Sequence, residues 1–306
     1  MDVLVVGDAN PDLILRGDVR PRFGQAEQLL TAADLVLGGS ASITAAGCAR
    51  LGLRTALLAA VGDDVFGDVT RRSLAERDVD LRAVKAEPGV PTGLSVILSE
   101  VEDKAILTLL GTIPALRPAD VTDEQLTGVR HVHVAGLYLQ PELALGLAGV
   151  FARARERGLT TSLDTNWDPT ERWESITEIL AHTDVFLPNA AELQAVTGES
   201  DVDRAAARLI GTGTTVVMKD GAHGARAWWP GGQCAAPGLA VAVVDTTGAG
   251  DSFNAGFLAA RLSGRAMPEA VAWAAAAGSL STRSAGGTAA QATPAEIGVT
   301  TAAGSH

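Results

Sequence analysis

Short apolar runs recur along this chain, and between them lie helix-length stretches that close on glycine. "VLVVG" (3–7), "TALLAAVG" (55–62), "HVHVAG" (131–136), "TTSLD" (160–164), "DVFLPN" (184–189) and "TVVMKDG" (215–221) are largely continuous rather than alternating, the mark of strands buried on both faces. "SITAAGCARLG" (42–52), "PELALGLAGVFARARERG" (141–158) and "AELQAVTG" (191–198) read as helices stopped by a left-handed glycine. Strand, helix and strand in this order make βαβ units, hence a mainly parallel sheet with helices on both faces.

Two stretches break the rhythm. Residues 11–37 and 91–112 contain "LILRG", "LTAADLVLGG" and "TGLSVILSEVEDKAILTLLG". The last predicts a hairpin with the polar "EVEDK" (100–104) at its turn. Together they predict a small antiparallel β-element projecting from the main body, placed either to close over a site or simply to form an edge hairpin. The 306 residues suit one domain, 1–306, carrying this elaboration. Aromatic residues are only 4% of the chain, so the core must be built from Ala, Val and Leu. The tail beyond Thr288 is rich in Ala, Thr and Gly, and its end is expected to be poorly ordered.

Charge excludes some partners. With 36 acidic and 24 basic residues the formal charge is −12, which repels phosphate backbones and argues against nucleic-acid binding. A local ring of N–H groups can still hold a nucleotide's phosphates. Cys48 and Cys234 lack metal-ligand spacing and read as buried free thiols. "MDVLVVGD" lacks the basic start and long apolar stretch of a secretory signal, and no apolar segment reaches membrane-spanning length. The expectation is a cytoplasmic protein with no membrane partner. His131 and His133 alternate on one strand face, but no third ligand follows at useful spacing, so they read as core or edge histidines. Trp228 and Trp229 read as packing.

Chemistry concentrates in "VVDTTGAGDSFNAGFLAARL" (243–262). A strand end leads into a turn at Gly248, Ala249 and Gly250, and an amphipathic helix is predicted from Asp251. Glycines at a helix N-terminus let unpaired N–H groups and the positive dipole end converge on a ligand, an anion hole suited to a phosphoryl group in transfer. A lone Asp at the head of a helix reads as its N-cap. Beside an anion hole, a carboxylate can instead take the proton of an attacking hydroxyl. Neither a Walker loop nor a dinucleotide fingerprint occurs.

"DTTGAGDSFNAGF" resembles the C-terminal signature of the ribokinase-like (PfkB) carbohydrate kinases, and the similarity extends along the chain. It implies an α/β three-layer sandwich with a small β-sheet lid, and ATP-dependent phosphorylation of a hydroxyl on a sugar or sugar acid. Asp251 would be the catalytic base, with Gly248, Ala249 and Gly250 as the anion hole. "GDANPD" (7–12) resembles the family's first strand and loop, which places Asp12 and Asn10 on the substrate. "GGSASITAAGCARLG" (38–52) and "VGDDVFGD" (61–68) resemble its N-terminal signature region, where Gly38 and Gly39 meet the substrate. "LDTNWDP" (163–169) makes Asp164 and Asn166 candidates for the phosphate channel.

"LPNAAELQAVTG" (187–198) resembles the N-x-x-E element, implying Mg²⁺ held through water by Asn189 and Glu192, with Asn189 near ATP; read alone, these two are an N-cap and an acidic first turn. "VVMKDGAHGA" (216–225) puts Lys219, Gly221 and Gly224 along ATP. "WAAAAGSLSTRSAGG" (273–287) puts Ala275 beside adenine with apolar contact only. A monovalent cation such as K⁺ is implied at Asp245 and Thr247 with carbonyls around 281–287. The family pattern G-G-x-x-x-N has Ile43 in place of its Asn, which removes one polar contact to the acceptor. Ile43 and Tyr138 are expected in the substrate pocket. Two lids pair in several members, and the apolar "DLVLGG" and "LSVIL" lead us to expect a homodimer through the lid. A nucleoside or vitamin-precursor kinase on the same scaffold, or an inactive sugar- or nucleotide-binding regulator, are the other readings.

Overall fold

The computed structural model describes residues 1–100, 104–174 and 176–303. Most of the expected hairpin turn (101–103) and the very end of the tail (304–306) lie outside the described residues.

The chain opens with β1 (Val3–Val6), all four residues buried. Val3 and Val5 enter one hydrophobic core and Leu4 and Val6 the other, as a strand covered on both faces requires. The chain then leaves the sheet as β2 (Asn10–Gly17) and β3 (Leu30–Gly38), and returns through α1 (Ser40–Arg50), β4 (Thr55–Gly62), α2 (Val65–Ala75) and β5 (Val84–Glu87). A second excursion is β6 (Leu94–Ser99) and β7 (Lys104–Leu109). The rest alternates: α3 (Asp123–Leu126), β8 (His131–Ala135), α4 (Pro141–Glu156), β9 (Thr160–Asp164), α5 (Ile176–Leu180), β10 (Val185–Phe186), α6 (Ala190–Thr197), α7 (Val202–Ile210) and β11 (Thr215–Lys219). The hairpin β12 (Ala225–Trp229) and β13 (Gly232–Ala236) follows, then α8 (Ala249–Leu262), α9 (Met267–Ser281) and α10 (Pro294–Ala303).

The nine-stranded sheet runs β13-β12-β11-β10-β9-β8-β1-β4-β5, parallel from β11 to β5 with an antiparallel edge at β12 and β13. Helices α1, α8 and α9 cover one face, and α4, α6 and α7 the other. Alanine dominates the first of these layers, so its helices sit close. A Cβ on Gly256 would lie 2.7 Å from that of Ala277, and one on Gly47 2.7 Å from that of Ala255. Glycine is what permits those contacts.

The two excursions form a separate sheet in the order β3-β2-β6-β7. It is mixed rather than antiparallel as expected, because β2 and β6 pair in parallel, Asp12 opposite Ser95. Each is the outgoing strand of its own hairpin, and both leave the body in the same direction.

Smaller expectations fare variously. Both thiols are free, but only Cys48 is buried, which pushes its thiol up to about 12, while Cys234 is half-buried. His131 and His133 are core residues that share the Ser162 hydroxyl, at 2.6 and 2.7 Å. Burial lowers them to about 3 and about 4, so both are neutral. Trp228 is packed, with Arg226 over its ring and its Nε1 donating to Asp203. No helix among the described residues is long and apolar enough to cross a membrane.

Candidate active site

The carboxyl ends of the parallel strands face the second sheet, and polar residues collect in the gap. Asp8 follows β1 and is buried; its carboxylate accepts the N–H groups of Ser40 and Ala41, both at 3.0 Å, at the start of α1. It thereby caps a helix whose own N-cap, Gly39, has φ +80° and no capping side chain. Burial pushes Asp8 above the usual carboxylate range. Asn10 donates to Asp12 Oδ1 at 3.2 Å. Asp12 is buried too, and desolvation, followed by the charge of Asp8, pushes its carboxyl up to about 7.

Asp251 lies not at the head of α8 but in its first turn. Gly248, at φ +70°, is the N-cap, and the helix begins at Ala249. The capping reading of Asp251 is therefore wrong, since the left-handed glycine starts the helix three residues earlier. Asp251 is 7% exposed. Burial raises its carboxyl well above the ordinary range; the charges of Asp164 and Asp8 add to that, while Lys219 and the Ser40 side chain oppose it. Ala249 N–H already donates to the Thr246 carbonyl at 3.2 Å. The open donors of this turn are those of Gly250 and Asp251, which helix geometry leaves without an acceptor one turn back.

Behind the turn runs an ion-pair network. Lys219 Nζ donates to Asp164 Oδ2 at 2.5 Å, and Asn254 Nδ2 to the same oxygen at 2.6 Å. Burial opposes both charges, yet Asp164 with Glu192 keeps the lysine above its ordinary value, and Lys219 with Asn254 keeps Asp164 below its own. A Cβ on Gly250 would lie 3.6 Å from Lys219 Nζ, so the ammonium stands beside the open N–H groups. Asp164 and Asn166 do not line either cavity described below. Asp164 instead fixes Lys219, and Asn166, at φ +53°, accepts the Gly136 N–H.

Asn189 and Glu192 form a reciprocal capping box on α6, each side chain accepting the other's N–H at 2.9 and 2.8 Å. Glu192 is buried, and that burial raises its carboxyl. No cluster of three or more His, Cys, Asp or Glu among the described residues could hold a metal directly. With Asn189 Oδ1 and Glu192 Oε2 each accepting a hydrogen bond, this pair fits a hydrated cation rather than a bare one. Asp245 Oδ1 accepts from the N–H and hydroxyl of Thr247, and Oδ2 from Gly286 N–H at 2.9 Å, so it ties together the two loops expected to flank a cation.

Two cavities meet at the first turn of α8. The larger, about 590 Å³, is lined by Lys219, Gly221, Gly224, Ala249, Gly250 and Ala275. Its other wall is Gly238, Leu239, Ala240 and Val241, which carried no expectation from the sequence, together with Val243 and with Gly278 and Ser279 of the 273–287 stretch expected beside adenine. The smaller, about 230 Å³, is lined by Asp8, Asn10, Asp12, Gly39, Ile43 and Asp251, with Ser95, Lys104 and Thr108 of the second sheet above them. Gly38 does not line it, but makes room for Asp12. Ile43 does, and its Cγ2 lies 3.1 Å from where a Cβ of Gly248 would be, so it buttresses the anion-hole turn. Tyr138 is not in the cavity: Leu139 is, and Tyr138 packs edge-on to Trp173 at 5.3 Å. Asp8, Lys104 and Asn254 were not singled out in the sequence. Asn254 lies inside the quoted motif, whereas the partners of Asp8 and Lys104 are set only by the tertiary fold.

A nucleotide-sized apolar cavity and a carboxylate-lined one, joined at a glycine-opened helix end, are an arrangement that suits a phosphotransferase. The comparisons with known proteins agree. Residues 1–294 match the model for pfkB family carbohydrate kinases. The chain is 32% identical to an ATP-dependent ribose-1-phosphate kinase of Halopiger xanaduensis, over 91% of this chain and 90% of that one. It is also 32% identical to a 2-dehydro-3-deoxygluconokinase of Thermoproteus tenax, over 72% of this chain and 73% of that one. The ribokinase of Arabidopsis thaliana, solved with ribose and ATP, shares the fold at TM-score 0.86, with 24% identity and 97% of each chain covered. The chain belongs to the pfkB family of carbohydrate kinases and is an ATP-dependent phosphotransferase with an alcohol group as acceptor.

Proposed function

We propose that this kinase transfers the γ-phosphoryl group of ATP to a hydroxyl of a sugar or sugar acid held in the smaller cavity, with Asp251 as the base. The observation that carries this is the division of labour at one helix end: Ala249 and Gly250 line the larger cavity, and Asp251 lines the smaller. ATP lies along Lys219, Gly221 and Gly224, with its adenine against Ala275 and the apolar 238–243 wall. The phosphoryl group meets the turn at Gly248–Gly250 through the open N–H groups of Gly250 and Asp251, since the Ala249 N–H is held by the Thr246 carbonyl, and the adjacent Lys219 ammonium aids it. Asp12, Asn10 and Gly39 hold the acceptor, and Gly38, expected to meet it, instead makes room for the Asp12 carboxylate. As the acceptor oxygen bonds to the γ-phosphorus, its bond to the β-phosphate oxygen breaks, ADP leaves, and Asp251 takes the hydroxyl proton. A raised carboxyl suits that task near neutral pH.

Asn189 and Glu192 would hold Mg²⁺ through water, and the ion would offset phosphate charge. Asp245 and Thr247 with the carbonyls of 281–287 would hold K⁺. The second sheet acts as a lid, and through its outer face two copies pair. ATP dependence and the free thiols suit a cytoplasmic setting.

Asp251→Asn tests the central claim. Turnover should fall ~10²–10⁴-fold while ATP still raises Tm. Unchanged turnover would remove Asp251 from the mechanism.

A further inference from the structure

The acceptor cavity carries a charge that a neutral sugar does not need. Asp8, Asp12 and Asp251 line it, and Lys104 is the one basic residue among its described lining residues. Lys104 is the first residue of β7, opposite Ser99. Its side chain points inward, with Nζ 3.4 Å from Thr247 Oγ1 at the foot of the anion-hole turn. Its charge reaches Asp12 on one side and Asp245 on the other. The ammonium thus hangs from the lid between the residue assigned to the sugar hydroxyls and the loop that leads to Gly248.

Neighbouring residues show what it is for. Ile97, Ile106, Ile113, Leu139 and Ile43 make part of the remaining wall apolar, and Ile43 offers no hydrogen bond to a hydroxyl. Asn10, Ser40, Ser95, Thr108 and Thr247 can hydrogen-bond neutral hydroxyls, whereas Lys104 is the one cationic group among the described lining residues that could meet a negatively charged end of the acceptor. A lysine on a lid strand meets such a group only when the lid lies over it, so its attraction is added on closure. A hydrogen bond between an ammonium and a phosphate or carboxylate oxygen is about twice as strong as one between neutral groups.

Resting on the kinase reading above, we propose that Lys104 selects an anionic acceptor: a monosaccharide bearing a phosphate or carboxylate, with that group on the Lys104 ammonium and a free hydroxyl at Asp251.

The test compares ribose, ribose 1-phosphate and 2-dehydro-3-deoxygluconate as acceptors for wild type, Lys104→Met and Lys104→Arg, by ADP release and by acceptor-induced Tm shift. Wild type should favour one anionic acceptor over ribose by at least ~10-fold in kcat/KM, and the preferred arm identifies phosphate ester or sugar acid. Lys104→Met should reduce that preference ~10–100-fold, mainly through KM, and Lys104→Arg should keep most of it. An equal loss on ribose and on the anionic acceptors in Lys104→Met, or a wild-type preference for ribose, overturns the assignment. If wild type phosphorylates none of the three, the reading of the smaller cavity as a site for such sugars fails separately. The Tm shifts then decide for Lys104: a larger shift with an anionic acceptor that disappears in Lys104→Met supports it, and equal shifts overturn it.

Discussion

A methyl group on Gly38 would stand 2.0 Å from Oδ1 of Asp12 and 2.2 Å from its Cγ, inside the carboxylate itself. Gly38 ends β3 directly opposite Asn10 on β2, so its missing side chain is the space the Asp12 carboxylate fills. Gly38→Ala must therefore turn Asp12 away from the cavity or push the two strands apart. Overpacking of this kind costs about 1–3 kcal/mol, and a misplaced binding group costs on the order of 10²-fold in kcat/KM. Steady-state kinetics and a thermal melt check both. Wild-type kinetics in a protein that melts normally would show that Asp12 does not hold the acceptor.

That relationship shows where sequence reading succeeds and stops. The parallel strands and the 243–262 segment were legible because continuous apolar runs and a glycine-opened helix are local signals. Gly38 was marked by resemblance as a substrate contact, yet its role depends on the carboxylate of Asp12, 26 residues away on the neighbouring strand. Asp8 was unreadable for the same reason: it caps a helix whose start is 32 residues on, and "GDANPD" alone does not say which Asp faces which partner. The β12–β13 hairpin went unread although "PGG" at 230–232 is a turn signal between apolar runs. The parallel pairing of β2 with β6 could not be read, since it joins two stretches that are far apart in sequence.

Asp12 couples stability to pH. Its carboxyl is about 7 when folded against 3.8 in the unfolded chain. Folding therefore favours the neutral form, and the stability this confers is present at pH 4 and lost as pH rises through about 7. Asp12→Asn removes the charge that the fold disfavours. At pH 8 the variant should melt above wild type, by on the order of 2–4 kcal/mol, and the gap should close by pH 4. Its acceptor KM should rise at least ~10-fold, because a charged acceptor of hydrogen bonds is replaced by a neutral one. Paired melts across that pH range decide; a gap of the opposite sign at pH 8 would contradict the burial argument.

Lys219 and Asp164 form a buried pair whose halves are not equivalent. Side-chain exposure is 14% for Lys219 and 1% for Asp164. Lys219→Met leaves Asp164, Glu192 and Asp251 together without their shared cation, whereas Asp164→Asn leaves Lys219 with Glu192 and Asp251 still attracting it. Breaking a buried pair usually costs about 3–5 kcal/mol. Lys219→Met should reach that range, and Asp164→Asn should fall below it. Denaturant unfolding of both variants and of the double mutant measures the difference and the coupling. Equal losses would show that Asp164 alone, not the wider acidic group, pairs with the lysine.

The outer face of the lid carries the last prediction. Leu35, Leu13, Val96 and Leu107 lie side by side across its four strands, joined in register as Leu35↔Leu13, Leu13↔Val96 and Val96↔Leu107. Residues of the opposite parity, Asp12, Ser95, Ile97, Lys104 and Ile106, face the smaller cavity. The row is therefore the face turned away from it, and Leu35 and Leu107 are 44% and 57% exposed. Such an apolar ladder gains by burial against an identical one at roughly 25 cal/mol per Å², and a two-fold axis through it would be self-complementary. Wild type should sediment as a dimer, and Leu107→Asp, which places a charge at the edge-strand end of the apolar row, should sediment as a monomer. A wild type that stays monomeric as its concentration is raised would mean that another partner, or none, covers this face. A dimer that survives Leu107→Asp would place the interface elsewhere on the chain. Because Leu107 points away from the cavity while Lys104 points into it, the monomeric variant should still bind ATP, which a ligand-induced rise in Tm detects.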